Sequence, residues 1–262
     1  MTFDLSPNLT WLFTEAGDSP GARIRAASAA GFRFADTWPL PQSDQIEDYL
    51  AAVRETGITI VVATAPLFHT GDAALLDAHL DAFSDAIPVA REAGVQYLVV
   101  TGGLALEGVE PAEQRAVIVE FLTRAADLVD GSGVGLLLEN LSIADDPECF
   151  LVSTAETIAI VREVNRPEVG VLYDAYHSLE MGERIAEVLE GAAELVKHVQ
   201  IADVPGRNEP GTGTADWDAV LADLAEAGYT GPLGLEYEPT GESVASTAHI
   251  AEAVGSFQRR TA

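Results

Sequence analysis

The sequence predicts a single-domain (β/α)8 barrel, an α/β fold of the TIM type. Short apolar, β-branched runs alternate with longer helix-like stretches eight times along the chain. Such a barrel takes about 250 residues, and residues 1–262 contain no linker or low-complexity stretch that would divide them. The strand-like runs are apolar nearly throughout, as expected where both faces of a sheet are covered. A doubly wound open sheet would usually carry a Gly-rich turn after its first strand, and PNLTWLFTE (7–15) has none.

The elements follow in order. A first strand is placed at 8–13, then the Ala-rich amphipathic stretch GARIRAASAAG (21–31). FRFADTW (32–38) reads as strand two, followed by a helix over 43–56 with Ser43 or Asp44 as N-cap. ITIVVATA (58–65) is a buried-strand run, and 72–93 a long helix stopped by Gly94. VQYLVVTGG (95–103) is strand four, and a helix begins at Pro111, where proline suits the first turn, and runs to about 129. VGLLLEN (134–140), VGVLYDA (169–175), VKHVQIAD (196–203) and LGLEYEP (233–239) are strands five to eight. Helices over 154–164, 178–195, 216–227 and 242–257 follow them in turn.

Composition narrows the function. The formal net charge is -28, and Lys197 is the only lysine. Nucleic-acid binding needs a basic footprint to displace counterions from phosphates, and a field this negative repels polyanions and anionic lipid. No nucleic-acid or membrane partner is expected, and no apolar run approaches the ~20 residues of a membrane span. MTFDLSPNLTW has neither a basic segment nor a long apolar one, so no secretory signal is expected. The single cysteine, Cys149, forms no internal disulfide, and a cytoplasmic setting is expected. The sequence leaves homo-oligomerisation open.

The chemistry lies at the strand ends. Four apolar runs finish in an oxygen-bearing residue: Glu139, Asp174, Gln200 and Glu236. In a parallel barrel the C-terminal strand ends converge on one mouth, so these four can surround one ion. Three carboxylates and an amide suit Mn²⁺ or Mg²⁺, which prefer oxygen ligands, and leave two positions for a substrate carbonyl and its neighbouring hydroxyl. Such an ion polarises the carbonyl and acidifies the adjacent C–H. Glu139 and Glu236 then form a catalytic pair, one taking the proton and the other returning it. Taken singly, each acid reads as an ordinary ion-paired strand-end residue, and it is their recurrence at four strand ends that favours a site.

Around this set, His177 follows Asp174 by three and reads as a substrate contact, a metal ligand or a solvent-facing residue. His198 shares the facing of Gln200 and reads as a deeper barrel-interior residue. Arg207 and Glu209 occupy the loop after strand seven and are candidate substrate-binding residues, Arg207 as a cation for a carboxylate or carbonyl oxygen. EPGTG (209–213) gives only a weak phosphate signal. Asp36 is a further mouth candidate, and Trp11, Phe13 and Trp38 form either an apolar wall or core. His69, His79 and His249 read as surface residues.

HVQIADVPGRNEPGTG (198–213), with NLTWLF, GFRFAD, the glutamate of LLLEN, YDAYH and LEYEP, resembles the xylose isomerase-like barrel superfamily, and within it the hydroxypyruvate isomerase family. The resemblance covers most of the chain. It implies metal ligands at Glu139, Asp174, Gln200 and Glu236, the two glutamates as acid/base pair, and His177 and Arg207 as substrate contacts. The chain departs from the family at several positions. Ala63 or Thr64 stands near the expected strand-three His, with a shortened loop after it. Thr214 and Asp36 each replace a Glu, Glu238 replaces a Lys, and Ser178, Leu179 and Glu180 replace a Met-Gln-Arg type. The shell for a small anionic substrate is thus stripped of positive charge.

The resulting expectation is a metal-dependent isomerase or epimerase acting on a sugar or oxo-acid. A lyase or dehydratase using the same residues is the alternative, followed by a non-catalytic sugar-binding subunit. The endonuclease branch of the superfamily needs more histidines and a basic surface.

Overall fold

A computed structural model describes residues 3–65, 70–145 and 147–261. Eight parallel strands form one sheet: β1 (Leu5–Pro7), β2 (Phe34–Thr37), β3 (Thr59–Thr64), β4 (Tyr97–Thr101), β5 (Gly135–Glu139), β6 (Val169–Asp174), β7 (Val196–Ile201) and β8 (Leu233–Leu235). Neighbours in sequence are neighbours in space, and β1 pairs with β8. Between β1 and β2 the barrel is drawn together by an isolated bridge, Asn8 to Asp36, with the Leu9 N–H donating to the Asp36 carbonyl at 2.8 Å. This is the (β/α)8 barrel expected of alternating buried runs.

A period of two along most strands divides the barrel's contents, broken in β3 where its register with β2 shifts. Leu136 and Leu138 face outward, against helix residues such as Phe121, Leu122 and Ile158. Leu137 faces inward with Val61, Val62, Val99 and Leu172, and Phe34 and Tyr97 pack on this small interior cluster. Each such fully buried side chain contributes about 1.5–3 kcal/mol. Glu139 follows Leu137 by two, and Asp174 follows Leu172 by two, so both acids continue the inward row at the mouth.

The connecting helices are α1 (Pro20–Ala29), α2 (Ile46–Thr56), α3 (Leu76–Glu92), α4 (Pro111–Val129), α5 (Thr154–Val164), α6 (Ala175–Glu180), α7 (Ile185–Val188), α8 (Trp217–Glu226), α9 (Ser243–Ser246) and α10 (Ala248–Thr261). Several differ from the sequence reading for local reasons. The first strand ends where it was expected to start, because the Asn8 side chain takes the Thr10 N–H at 3.0 Å and turns the chain, and Phe13 sits at φ 61. Neither Ser43 nor Asp44 caps α2: both lie in a turn, and Gln45 flanks the helix without a side-chain cap. Asp72 binds the Ala74 N–H at 2.8 Å, making a turn that delays α3 to Leu76. The helix expected over 178–195 is two short ones, starting at Ala175 and broken at Gly182, which sits at φ 70. The last helix is likewise interrupted, with the Thr247 hydroxyl turned back on the Val244 carbonyl.

Candidate active site

Glu139 ends β5, Asp174 ends β6, Gln200 is the penultimate residue of β7 and Glu236 directly follows β8. Asp174 is in register with Gln200, and Gln200 with Gly234, so the four lie on adjacent strands around one side of the mouth. All four side chains are almost completely shielded from solvent, with Glu139 and Gln200 at 0% and Glu236 at 1% exposure. Both carboxylate oxygens of Glu139, both of Glu236, and both polar atoms of Gln200 make no hydrogen bond. Buried acids without donors cost free energy unless they bind a cation or a proton. Burial first, then the charges of Glu236 and Asp174, push the Glu139 carboxyl well above its ordinary range. Burial also raises Glu236, to about 8, against the opposing pull of Arg207.

Asp174 also starts α6, its Oδ1 accepting the Tyr176 N–H at 2.9 Å as an N-cap. One turn of that helix brings His177 beneath the cluster, fully buried. Its Nε2 stands 3.4 Å from Asp174 Oδ2 and 3.8 Å from Glu139 Oε1. Glu139, Asp174 and His177 each offer a ligand atom within 4.8 Å of the others, a group able to hold a metal ion. On its other edge, His177 Nδ1 accepts the Ser142 N–H at 3.2 Å and lies 3.1 Å from the Ser142 hydroxyl. A backbone N–H only donates, so Nδ1 is the bare nitrogen and the neutral ring carries its proton on Nε2, toward the acids. Burial lowers the His177 pKa, which favours that neutral ring.

Arg207 enters from the loop after β7. Its Nη2 donates to Asp174 Oδ2 at 3.1 Å and lies 3.1 Å from Glu236 Oε1 without hydrogen-bond geometry. Its Nη1 pairs with Asp145, and the guanidinium stacks 4.9 Å from the Tyr176 ring centre. Asp145 also accepts the Tyr176 hydroxyl at 3.1 Å and comes within 3.6 Å of His177 Nδ1. Sequence reasoning missed Asp145, Tyr176 and Ser142. Asp145 and Ser142 stand in the irregular loop after β5, where no period marks a residue as facing the mouth.

Beneath the mouth lies a second polar layer. His198 Nε2 is 2.8 Å from Asp36 Oδ2, and the Ser6 hydroxyl donates to Asp36 Oδ1 at 2.7 Å, all three fully buried. Gly234 is required here, since a Cβ would stand 2.7 Å from both Gln200 Cγ and His198 Nε2. Asp36 therefore faces inward, one layer below the mouth. His79 is buried on α3 instead of at the surface, His249 is exposed, and His69 lies outside the described residues. Phe13 is core, edge-on to Phe32 at 5.8 Å.

The loop carrying Arg207 is wrapped around Asp203. The Asp203 carboxylate accepts the N–H groups of Val204 (2.9 Å), Gly211 (2.6 Å) and Ala215 (3.1 Å), and the Trp217 indole at 3.1 Å. Burial raises the Asp203 pKa, yet the indole and these N–H groups outweigh it and hold the carboxyl below its usual value. Gly213 closes the wrap, because a Cβ there would sit 2.5 Å from Asp203 Oδ1. Glu209 spends its carboxylate on Thr240, taking its N–H at 2.9 Å and its hydroxyl at 2.5 Å. That pins two mouth loops together, apart from the acid cluster.

The sequence and fold match known proteins over nearly their full length. A Streptomyces coelicolor protein provisionally named a hydroxypyruvate isomerase is 35% identical over 251 residues, covering 88% of this chain and 89% of that protein. The 2-oxo-tetronate isomerase of Haemophilus influenzae is 29% identical, covering 90% of this chain and 94% of its own. A Brucella melitensis crystal structure titled as a family 2 AP endonuclease superposes with a TM-score of 0.88 at 26% identity, covering 96% of this chain and 99% of that one. These relationships make the chain an isomerase. The sequence profile described as the xylose isomerase-like TIM barrel matches residues 24–259, and with the barrel, its mouth and these relatives in view the chain belongs to that family.

Proposed function

We propose that the protein is a divalent-metal isomerase or epimerase that moves a proton on an α-hydroxycarbonyl substrate through an enediol. The observation that carries this reading is the pair of fully buried glutamates whose four carboxylate oxygens make no hydrogen bond. Their raised pKa values suit groups that accept and return a proton near neutral pH. One glutamate takes the proton from the carbon beside the carbonyl. The other returns it to the adjacent carbon, giving an isomer, or to the opposite face, giving an epimer.

Glu139, Asp174, Gln200 and Glu236 would hold the ion. An oxygen-only donor set points to Mn²⁺ or Mg²⁺. When bound, the ion polarises the carbonyl and makes the neighbouring C–H acidic. His177, with its proton on Nε2, serves better as a donor to a substrate oxygen than as a ligand, and Arg207 shields the mouth above it. The endonuclease title of the Brucella structure is not carried over, because a net charge of -28 opposes a phosphate backbone.

Solvent-deuterium exchange into recovered substrate tests the reading. The Mn²⁺-loaded protein should exchange, and Glu139→Gln or Glu236→Gln should each lower the rate by about 10²–10⁴-fold. Asp174→Ala should release the ion on dialysis. A product lighter than the substrate by one water would identify elimination instead. Unimpaired exchange in either Gln variant, or after thorough chelation, would overturn the mechanism.

A further inference from the structure

The mouth carries little positive charge that a substrate could use. All fourteen Lys and Arg residues fall among the described residues. Arg23, on α1, spends its guanidinium on the Gly17 and Leu9 carbonyls at 2.8 and 2.9 Å. Arg33, Arg166 and Lys197 stand at the N-terminal ends of strands, opposite the mouth. Arg184 is exposed and paired with Glu187 at 2.5 Å. The remainder, Arg207 apart, lie on the outer helix layer.

Arg207 reaches the cluster, and three carboxylates already surround it: Asp145, Asp174 and Glu236. With Glu139, four carboxylates face one guanidinium. Adding the two charges of a divalent ion leaves the cluster about one unit negative with both glutamates ionised, and neutral with one protonated. In neither state does it attract an anion. The other place where such barrels bind anions, the backbone N–H groups after strand seven, is filled from within. Asp203 takes the N–H groups of Gly211 and Ala215 in that loop.

We propose that Asp145 is a specificity-determining residue, which neutralises Arg207 and confines the site to uncharged substrates: α-hydroxy ketones or aldehydes without a carboxylate or phosphate. The inference rests on the isomerase reading above and names the substrate class of that same site. Asp145 sits where it controls the charge, because it fixes Nη1 of Arg207 and is itself held by Tyr176.

The test uses two matched pairs, dihydroxyacetone with hydroxypyruvate and erythrulose with 2-oxo-tetronate. Within each pair only a hydroxymethyl group and a carboxylate differ. Deuterium exchange by the full-length, Mn²⁺-loaded protein should favour the uncharged member by about tenfold or more in kcat/KM. Asp145→Asn should shrink that preference about tenfold, through a lower KM for the oxo-acid, and Asp145→Glu should restore it. Thermal protection by the unreactive anion glycolate should appear in Asp145→Asn and not in the parent, a readout independent of turnover. Preferential exchange of the oxo-acids by the parent protein would overturn the substrate class while leaving the isomerase reading intact. An unchanged preference in Asp145→Asn would remove Asp145 from the role. Exchange with neither member of either pair would remove the isomerase reading and this inference together.

Discussion

Glu139 and Glu236 are held where ionisation is unfavourable, and that has a sign that can be measured. An acid whose pKa is raised on folding binds its proton more tightly in the folded chain, so the folded state loses ground as pH climbs past the unfolded value. The chelated protein should therefore lose thermal stability as pH rises from about 4.5 toward 8, the range over which Glu236 would ionise first in the unfolded chain. Glu236→Gln should flatten that slope. A divalent ion should oppose it, contributing about 2.7 kcal/mol at a hundredfold excess over its Kd, and more at higher pH as ligand protons are released. Thermal melts across pH, with and without Mn²⁺, check both; a chelated protein that grows more stable over this range would contradict the assignment of buried, donor-free acids. That Glu139, Asp174, Gln200 and Glu236 meet at one mouth was legible because each closes an apolar run. Asp145 was not, since it meets Tyr176 and Arg207 across 31 and 62 positions and no local pattern reports such contacts.

At the scale of elements, the β7–α8 loop is the most tightly specified part of the mouth. Asp203 organises it from the inside, and Arg207 is delivered at φ 53, a left-handed conformation unusual outside glycine. Asp203→Asn would set an amide N–H against backbone donors, and a loss of about 1–3 kcal/mol is expected. Because the Asp203 carboxyl is held below its ordinary value, its contribution is present above the unfolded pKa and fades as pH falls through the folded one. The variant should accordingly show a shallower acid limb in denaturant titrations. An unchanged midpoint and acid limb would mean that Asp203 does not hold the loop. Strands two to eight were read from the sequence more faithfully than several of the helices. A strand buried on both faces announces itself as an apolar run, whereas Asp72, Gly182 and Thr247 interrupt helical stretches through hydrogen bonds or backbone angles that composition does not display.

Across the whole molecule, the alternating runs sufficed for the barrel, because eight parallel strands with intervening helices have few compact arrangements. The cations are distributed with equal consistency: Arg207 reaches the acids of the mouth, and most other arginines serve the outer layer and the strand bases. Among the described residues, no helix is long and apolar enough to cross a membrane.

The closure of the barrel has a mechanical consequence. Every other pair of neighbouring strands shares a ladder, but β1 and β2 meet at the isolated bridge from Asn8 to Asp36. The cylinder therefore has a seam, and it is stitched by the same residue that supports His198. Opening along this line breaks a single bridge instead of a ladder, and it would spill the interior acids into water without dismantling the other seven junctions. In hydrogen–deuterium exchange, the Leu9 amide should be protected about tenfold or more below Leu138, which lies within a continuous ladder. Equal protection at the two sites would show that the cylinder opens only by unfolding as a whole.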